Sequence, residues 1–213
     1  MLRFRELTTE QEFVAFKDGY ESNLRRRSDE RLQCTVPLEY VATSRAVGCF
    51  DGRGQMVAGF IMRYEGPLRC VSAVPKHAQD VSPLLWECDG QDLCELTCIW
   101  RSKGISHTAF ALVVWPKIIA DCVSSGRKYI LGLGFNNTMN DIYRICRPVQ
   151  VYAGPSAAAE TNTQVFIYAY TRHGIALTYV TNFWDRMMVL PVKRLGRSLV
   201  ARLGSSKPVA EVR

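Results

Sequence analysis

The residues most directly suited to chemistry are the hexapeptide Arg101-Ser102-Lys103-Gly104-Ile105-Ser106. It lies between a strand-like run, Leu93 to Trp100, and an apolar run opening at His107 that reads as a helix. A glycine-containing turn from a strand into a helix presents several backbone N–H groups outward, and the helix N-terminus adds partial positive charge. Such a turn accepts a phosphate or pyrophosphate, and Arg101 and Lys103 place two cations beside it. A solvated turn is the alternative, though a pyrophosphate beside them would explain both charges.

Other reactive residue types give weaker patterns. Eight cysteines (Cys34, Cys49, Cys70, Cys88, Cys94, Cys98, Cys122 and Cys146) are spread along the chain without a Cys-x-x-Cys pair. Cys94 and Cys98 share one strand and lack the tight-turn spacing of a zinc knuckle, so no metal site is expected and the thiols read as reduced and buried. The three histidines, His77, His107 and His173, have no telling partner for a cysteine nucleophile.

The elements that must position the hexapeptide belong to a chain of 213 residues that is 47% hydrophobic, enough for a substantial core. One domain is expected over residues 1–203, with a flexible tail over 204–213 opening on Gly-Ser-Ser-Lys-Pro. Lys plus Arg number 27 against 20 acidic residues, a net charge of +7. That excess suits anionic partners or simply a soluble basic surface. The charged start Met1-Leu2-Arg3-Phe4-Arg5-Glu6 lacks the apolar core of a signal peptide, and no apolar stretch reaches the roughly 18 residues that span a bilayer, so a cytoplasmic location is expected.

Thr9 to Glu12 has capping-box spacing, and Phe13, Phe16, Tyr20 and Leu24 share a helical face, predicting a helix from about residue 9 into the basic cluster Arg25-Arg26-Arg27. Arg45 to Phe50 and Met56 to Arg63 flank a Gly-rich turn and read as a hairpin, with Leu68 to Val74 as a third strand. A short helix is placed around Ser82 to Glu87, and Leu93 to Trp100 is the clearest strand. Phe110, Val113, Val114, Ile118 and Cys122 mark a helical stripe that Pro116 should kink or break, stopping at Ser125-Gly126. Tyr129 to Leu133, Val149 to Ala153, Val165 to Thr171 and Ile175 to Val180 read as strands. Asn136 to Cys146 and Val192 to Leu203 read as helices, and Gly154 to Thr163 as a mobile loop. This order implies an α/β (α+β) fold: a mixed, mostly antiparallel central sheet with helices on both faces.

The hexapeptide resembles R/Q-x-x-G-x-G/A, the acyl-CoA pyrophosphate loop of the GNAT acyltransferase superfamily, with Arg101, Gly104 and the small Ser106 in place. Asn136 to Tyr143 resembles that superfamily's N-x-x-A-x-x-L-Y pattern, keeping Asn136 and Tyr143 with Met139 and Ile142 as apolar replacements. The resemblance covers roughly residues 45 to 171. Within it, Gly66-Pro67-Leu68-Arg69, Val74-Pro75 and Glu95-Leu96-Thr97 are similar to the acyl-homoserine-lactone and N-acyl amino acid synthases, although Cys98 stands where that branch has an arginine. After Tyr143 the usual Gly-Phe is replaced by Arg144 to Pro148.

The resemblance implies a GNAT-like fold and an N-acyltransferase that moves an acyl group from acyl-CoA to the amine of a small molecule. It implies a donor site formed by Leu96, Cys98, Arg101, Ser102, Lys103, Gly104, Ile105, Ser106 and Asn136, and Tyr143 as proton donor to the leaving thiolate. The attacking amine must lose a proton, and Glu95 is the candidate base if it faces the cleft; a surface or capped carboxylate is the alternative. Strand alternation puts Glu95 on one face with Thr97 and Ile99, and Leu96, Cys98 and Trp100 on the other. Trp86, Trp100, Trp115 and Phe135 fit either core packing or the lining of an acyl tunnel. An N-acyl amino acid or homoserine-lactone-type synthase using an acyl carrier protein is the alternative reading, with Arg25 to Arg27 and the C-terminal basic helix as docking surface. A non-catalytic CoA-fold module or nucleic-acid binder is a third, disfavoured because aromatic residues are not interleaved with the basic runs.

Overall fold

The computed structural model describes residues 1–27, 35–79, 92–134, 148–157 and 164–184. Seven strands form one sheet in the order β1-β2-β3-β4-β5-β7-β6. They are β1 (Arg3–Glu6), β2 (Arg45–Phe50), β3 (Met56–Arg63), β4 (Leu93–Arg101), β5 (Tyr129–Gly134), β6 (Val149–Pro155) and β7 (Gln164–Thr171). Every neighbouring pair is antiparallel except β4 with β5. The expected mixed, mostly antiparallel sheet is therefore present.

Helix α1 (Glu10–Arg27) begins at the expected capping box: the Glu12 N–H donates to Thr9 Oγ1 at 3.3 Å, and the Thr9 N–H donates back to Glu12 Oε2 at 3.3 Å. Its apolar face, with α2 (Leu38–Ala42), covers a cluster of Phe16, Tyr40, Val41, Ile61, Cys98 and Trp100. The β2–β3 turn is closed by Asp51 Oδ1, which accepts from the N–H groups of Arg53 and Gln55, both at 2.9 Å, while Gly54 takes a φ of 77° that other residues rarely adopt.

On the opposite face α5 (His107–Ala109), a π-helical turn (Phe110–Val114) and α6 (Trp115–Ser124) run on without a break. The widened turn meets Pro116, which lacks an N–H and whose ring would clash with a regular turn before it. The expected kink is thus absorbed as a π-bulge. It also rotates the stripe: Phe110, Val114, Ile118 and Cys122 are buried, whereas Val113 is 38% exposed.

Two predicted strands are helices instead. Leu68 to Val74 contains α3 (Arg69–Ser72), followed by α4 (Lys76–Gln79), and Ile175 to Val180 lies within α7 (Arg172–Trp184). Both stretches follow strands whose two edges are already taken, β3 by β2 and β4, and β7 by β5 and β6. With no free edge to join, each segment satisfies its backbone locally, as in the bond from Ala73 N–H to Arg69 O at 2.9 Å. The edge strand β1 has the opposite history: with only Phe4 apolar among charged residues, it lacks a strand-like pattern and was not predicted.

The predicted helices at Ser82 to Glu87, Asn136 to Cys146 and Val192 to Leu203 lie outside the described residues, as does the tail over 204–213. Of the predicted loop from Gly154 to Thr163, Gly154 and Pro155 extend β6, and residues 158–163 lie outside the described set.

Helix α1 approaches β4 closely enough that a Cβ on Gly19 would lie 2.5 to 2.9 Å from the Trp100 ring. Alanine in a helix interior normally stabilises over glycine by about 1 kcal/mol. Here the sign reverses: Gly19→Ala is expected to destabilise by about 1–3 kcal/mol through overpacking, read as a lower urea midpoint. A higher midpoint would show that Trp100 yields at no cost.

Candidate donor and acceptor site

Strand β4 is bent by a bulge. Ile61 pairs with Thr97 and Gly59 with Trp100, so Phe60 alone opposes both Cys98 and Ile99. Cys98 has a φ of 52° and is the sole non-glycine residue with positive φ among the described residues. Such a conformation costs on the order of 1–3 kcal/mol and persists only where its surroundings enforce it.

The bulge corrects the expected alternation. Cys98 and Trp100 join Glu95 on the face covered by α1, α2 and α3, while Ile99 packs with Leu96 and Cys94 on the face covered by α6. One extra residue reverses every side chain after it.

The ladder between β4 and β5 consists of three pairs, Leu93 with Tyr129, Cys94 with Ile130, and Glu95 with Leu131. Beyond Glu95 the two strands part, each paired only on its outer side. The half-buried Thr97, Ile99, Gly132 and Leu133 follow the split. An extended ligand can enter such an opening and use the inner strand edges as another strand would.

The split leads to the hexapeptide, which is braced from within. Ser102 N–H donates to Val57 O at 2.7 Å, Gly104 N–H to Ser102 Oγ at 3.1 Å, and Ala109 N–H to the N-cap Ser106 Oγ at 3.0 Å. Arg101 Nη1 donates to Ile105 O at 3.0 Å, so this guanidinium, expected beside a phosphate, holds the turn's shape. Ile105 is buried as an anchor, whereas Lys103, Gly104 and Ser106 are exposed. The N–H groups of Lys103, Ile105 and Ser106 make no hydrogen bond within the described residues, which leaves them for an anion.

Glu95 sits at the apex of the split on the other face and is fully buried. It is not a surface carboxylate: both oxygens are buried, and the Cys70 and Arg69 N–H groups that open α3 are directed at it, as for a capped carboxylate. Burial pushes its pKa up, against the pull of the Cys70 amide and thiol and of Arg69. Around it, Arg69 Nη1 lies 3.5 Å from Cys98 Sγ, and the Arg63 and Arg69 guanidiniums lie 4.6 Å and 5.4 Å from the Tyr40 ring centre.

Burial raises the Tyr40 pKa, with the Glu95 charge next, and holds the Cys98 thiol up at about 11. The Tyr40 hydroxyl and Trp100 Nε1 are buried and have no hydrogen-bond partner among the described residues. A carboxylate with a raised pKa is a stronger proton acceptor once ionised.

Asn136 and Tyr143 lie outside the described residues, as do Trp86, Phe135, Cys34, Cys88 and Cys146. Cys49, Cys70, Cys94, Cys98 and Cys122 are free and buried. Tyr40 and Arg63 were missed by sequence reasoning, and Arg69 had entered only as part of a resembling segment. Their signal was a charge within an otherwise apolar stretch, as at Arg63 after Met56 to Met62. Among the described residues no helix is long and apolar enough to cross a membrane.

No protein-family model matches the sequence, and no curated protein matches it. Solved structures do match. FeeM, an N-acyl amino acid synthase from uncultured soil microbes, aligns with a TM-score of 0.62 at 12% identity over 82% of this chain and 93% of that one. An N-acetyltransferase from Staphylococcus aureus Mu50 aligns with a TM-score of 0.52 at 7% identity, covering 81% of this chain and 99% of that one. The ribosomal-protein-S18-alanine N-acetyltransferase from Escherichia coli aligns with a TM-score of 0.51 at 11% identity, covering 80% and 94%. The fold is that of the GNAT acetyltransferases, and at these identities the likeness is one of fold.

Proposed function

We propose that this chain is an acyltransferase that moves an acyl group from acyl-CoA to the amine of a small molecule. The observation that carries the reading is the parting of β4 from β5 at Glu95, which opens toward an exposed anion-accepting turn. The turn takes the pyrophosphate on the N–H groups of Lys103, Ile105 and Ser106, and the pantetheine arm lies along the main chain from Leu96 to Cys98. The thioester then reaches the apex. The amine nitrogen bonds to the acyl carbon, its proton passes to Glu95 directly or through a water, and the C–S bond breaks. The GNAT resemblance gives the proton for the leaving thiolate to Tyr143.

A carrier-protein thioester is the second donor, favoured by one observation: the basic end of α1 meets the turn, with Arg26 Nη2 at 3.5 Å from Arg101 O. The acceptor of that reading is an amino acid, the class named for FeeM.

Release of free thiol from a panel of acyl-CoA and acyl-carrier-protein donors, with mixed amines as acceptors, tests the function. Acceptor-dependent release from an acyl-CoA is expected. Release from the carrier thioester alone would select the second donor, and no release from any donor, with salt-sensitive nucleic-acid binding instead, would overturn both.

A further inference from the structure

We propose that Asn23, one turn before the end of α1, is a positioning residue that sets the direction in which the phosphate-accepting turn leaves β4; this rests on the donor reading above. Asn23 is buried, 6% exposed, and its Nδ2 donates to Arg101 O, to which Arg26 Nη2 also points. A carbonyl oxygen can only accept, so the side-chain nitrogen is the atom facing it.

Arg101 O and Ser102 N–H belong to one peptide unit. The N–H end is held by Val57 O on β3 and the C=O end by Asn23 on α1. A peptide unit gripped at both ends cannot rotate about its long axis, and this unit is where strand becomes turn. The N–H groups that follow it, at Lys103, Ile105 and Ser106, are therefore aimed before any ligand arrives. Preorganisation of this kind favours binding because less freedom is lost when the ligand docks.

The same helix end is fixed on its other side: Glu21 Oε1 accepts from Val36 N–H at 3.0 Å, and Lys17 Nζ pairs with Glu21 at 3.0 Å. Asn23 consequently works from a rigid base.

Asn23→Asp keeps the shape and replaces the donor by a carboxylate oxygen facing a carbonyl; Asn23→Ala removes the donor. Binding of CoA to the full chain by calorimetry is expected to weaken by about tenfold in Asn23→Ala and further in Asn23→Asp. Turnover of the same acyl group on pantetheine, which lacks the pyrophosphate, is expected to stay within about twofold of wild type, because the turn has nothing to hold there.

Equal losses with both donors would mean a merely structural role and overturn the proposal, as would wild-type CoA affinity in Asn23→Asp. Failure of the wild-type chain itself to bind CoA would overturn the donor reading together with this inference.

Discussion

Gly104→Glu is expected to weaken CoA binding by at least about 100-fold while leaving the melting temperature unchanged. Gly104 is exposed, and a Cβ there would meet only Ser102 Oγ at 3.3 Å and Val57 Cγ1 at 3.8 Å, so the fold tolerates a side chain. The new carboxylate enters the space proposed for the pyrophosphate. Two unit charges about 5 Å apart at an effective dielectric near 20 repel by about 3 kcal/mol, and a pyrophosphate carries more than one charge. Gly104→Ala separates bulk from charge and should cost only a few-fold. Raising the ionic strength should return part of the loss in Gly104→Glu and none in Gly104→Ala. Wild-type CoA affinity in Gly104→Glu would remove the turn from the donor site.

The turn itself was legible because its determinants are local. A strand-forming run, a glycine and a serine N-cap occur within fourteen consecutive positions, Leu93 to Ser106, and each acts through its own backbone. The capping box at Thr9 and the hairpin at Asp51 were legible for the same reason. Strand assignment fails differently. Leu68 to Val74 is an apolar run after Gly66-Pro67 and reads as a strand on that ground, yet a strand also needs a free neighbouring edge, and that is a property of the whole sheet.

The bulge was illegible for a sharper reason. Glycine or asparagine usually announces a left-handed position, and here the residue is Cys98. Its φ is imposed by the pairing of β4 with β3, not by local preference. From that one residue follows the placement of Cys98 and Trp100 beside Glu95, which reading by twos had separated.

Tyr40, Arg63 and Arg69 are distant in sequence from Glu95 and gather only when α2 and α3 close over β4. Asn23 carried a fainter signal: it falls seven residues after Phe16, on the buried face of α1, where an unpartnered amide would be costly.

Glu95→Leu is expected to raise stability while lowering turnover by about 10²- to 10⁴-fold, the usual range for loss of a general base. The two effects share one cause. Burial raises the folded-state pKa of Glu95 above its unfolded value, so the folded state is favoured while the carboxyl is protonated. Its contribution is complete below the unfolded pKa of about 4.3 and is lost as pH rises through the folded pKa. Catalysis by the proposed base runs the other way, since only an ionised carboxylate accepts a proton. Wild-type kcat/KM should therefore rise over the same pH interval in which wild-type stability falls. Leucine has neither of the two buried oxygens, so at neutral pH Glu95→Leu should be more stable by about 1–3 kcal/mol and its stability should lose this pH dependence. Glu95→Gln separates proton acceptance from shape, keeping the polar outline and losing the turnover. Wild-type turnover in Glu95→Gln would remove Glu95 from the proton path, and a stability fall in Glu95→Leu would mean that the Cys70 and Arg69 groups beside the carboxyl outweigh the cost of burying it.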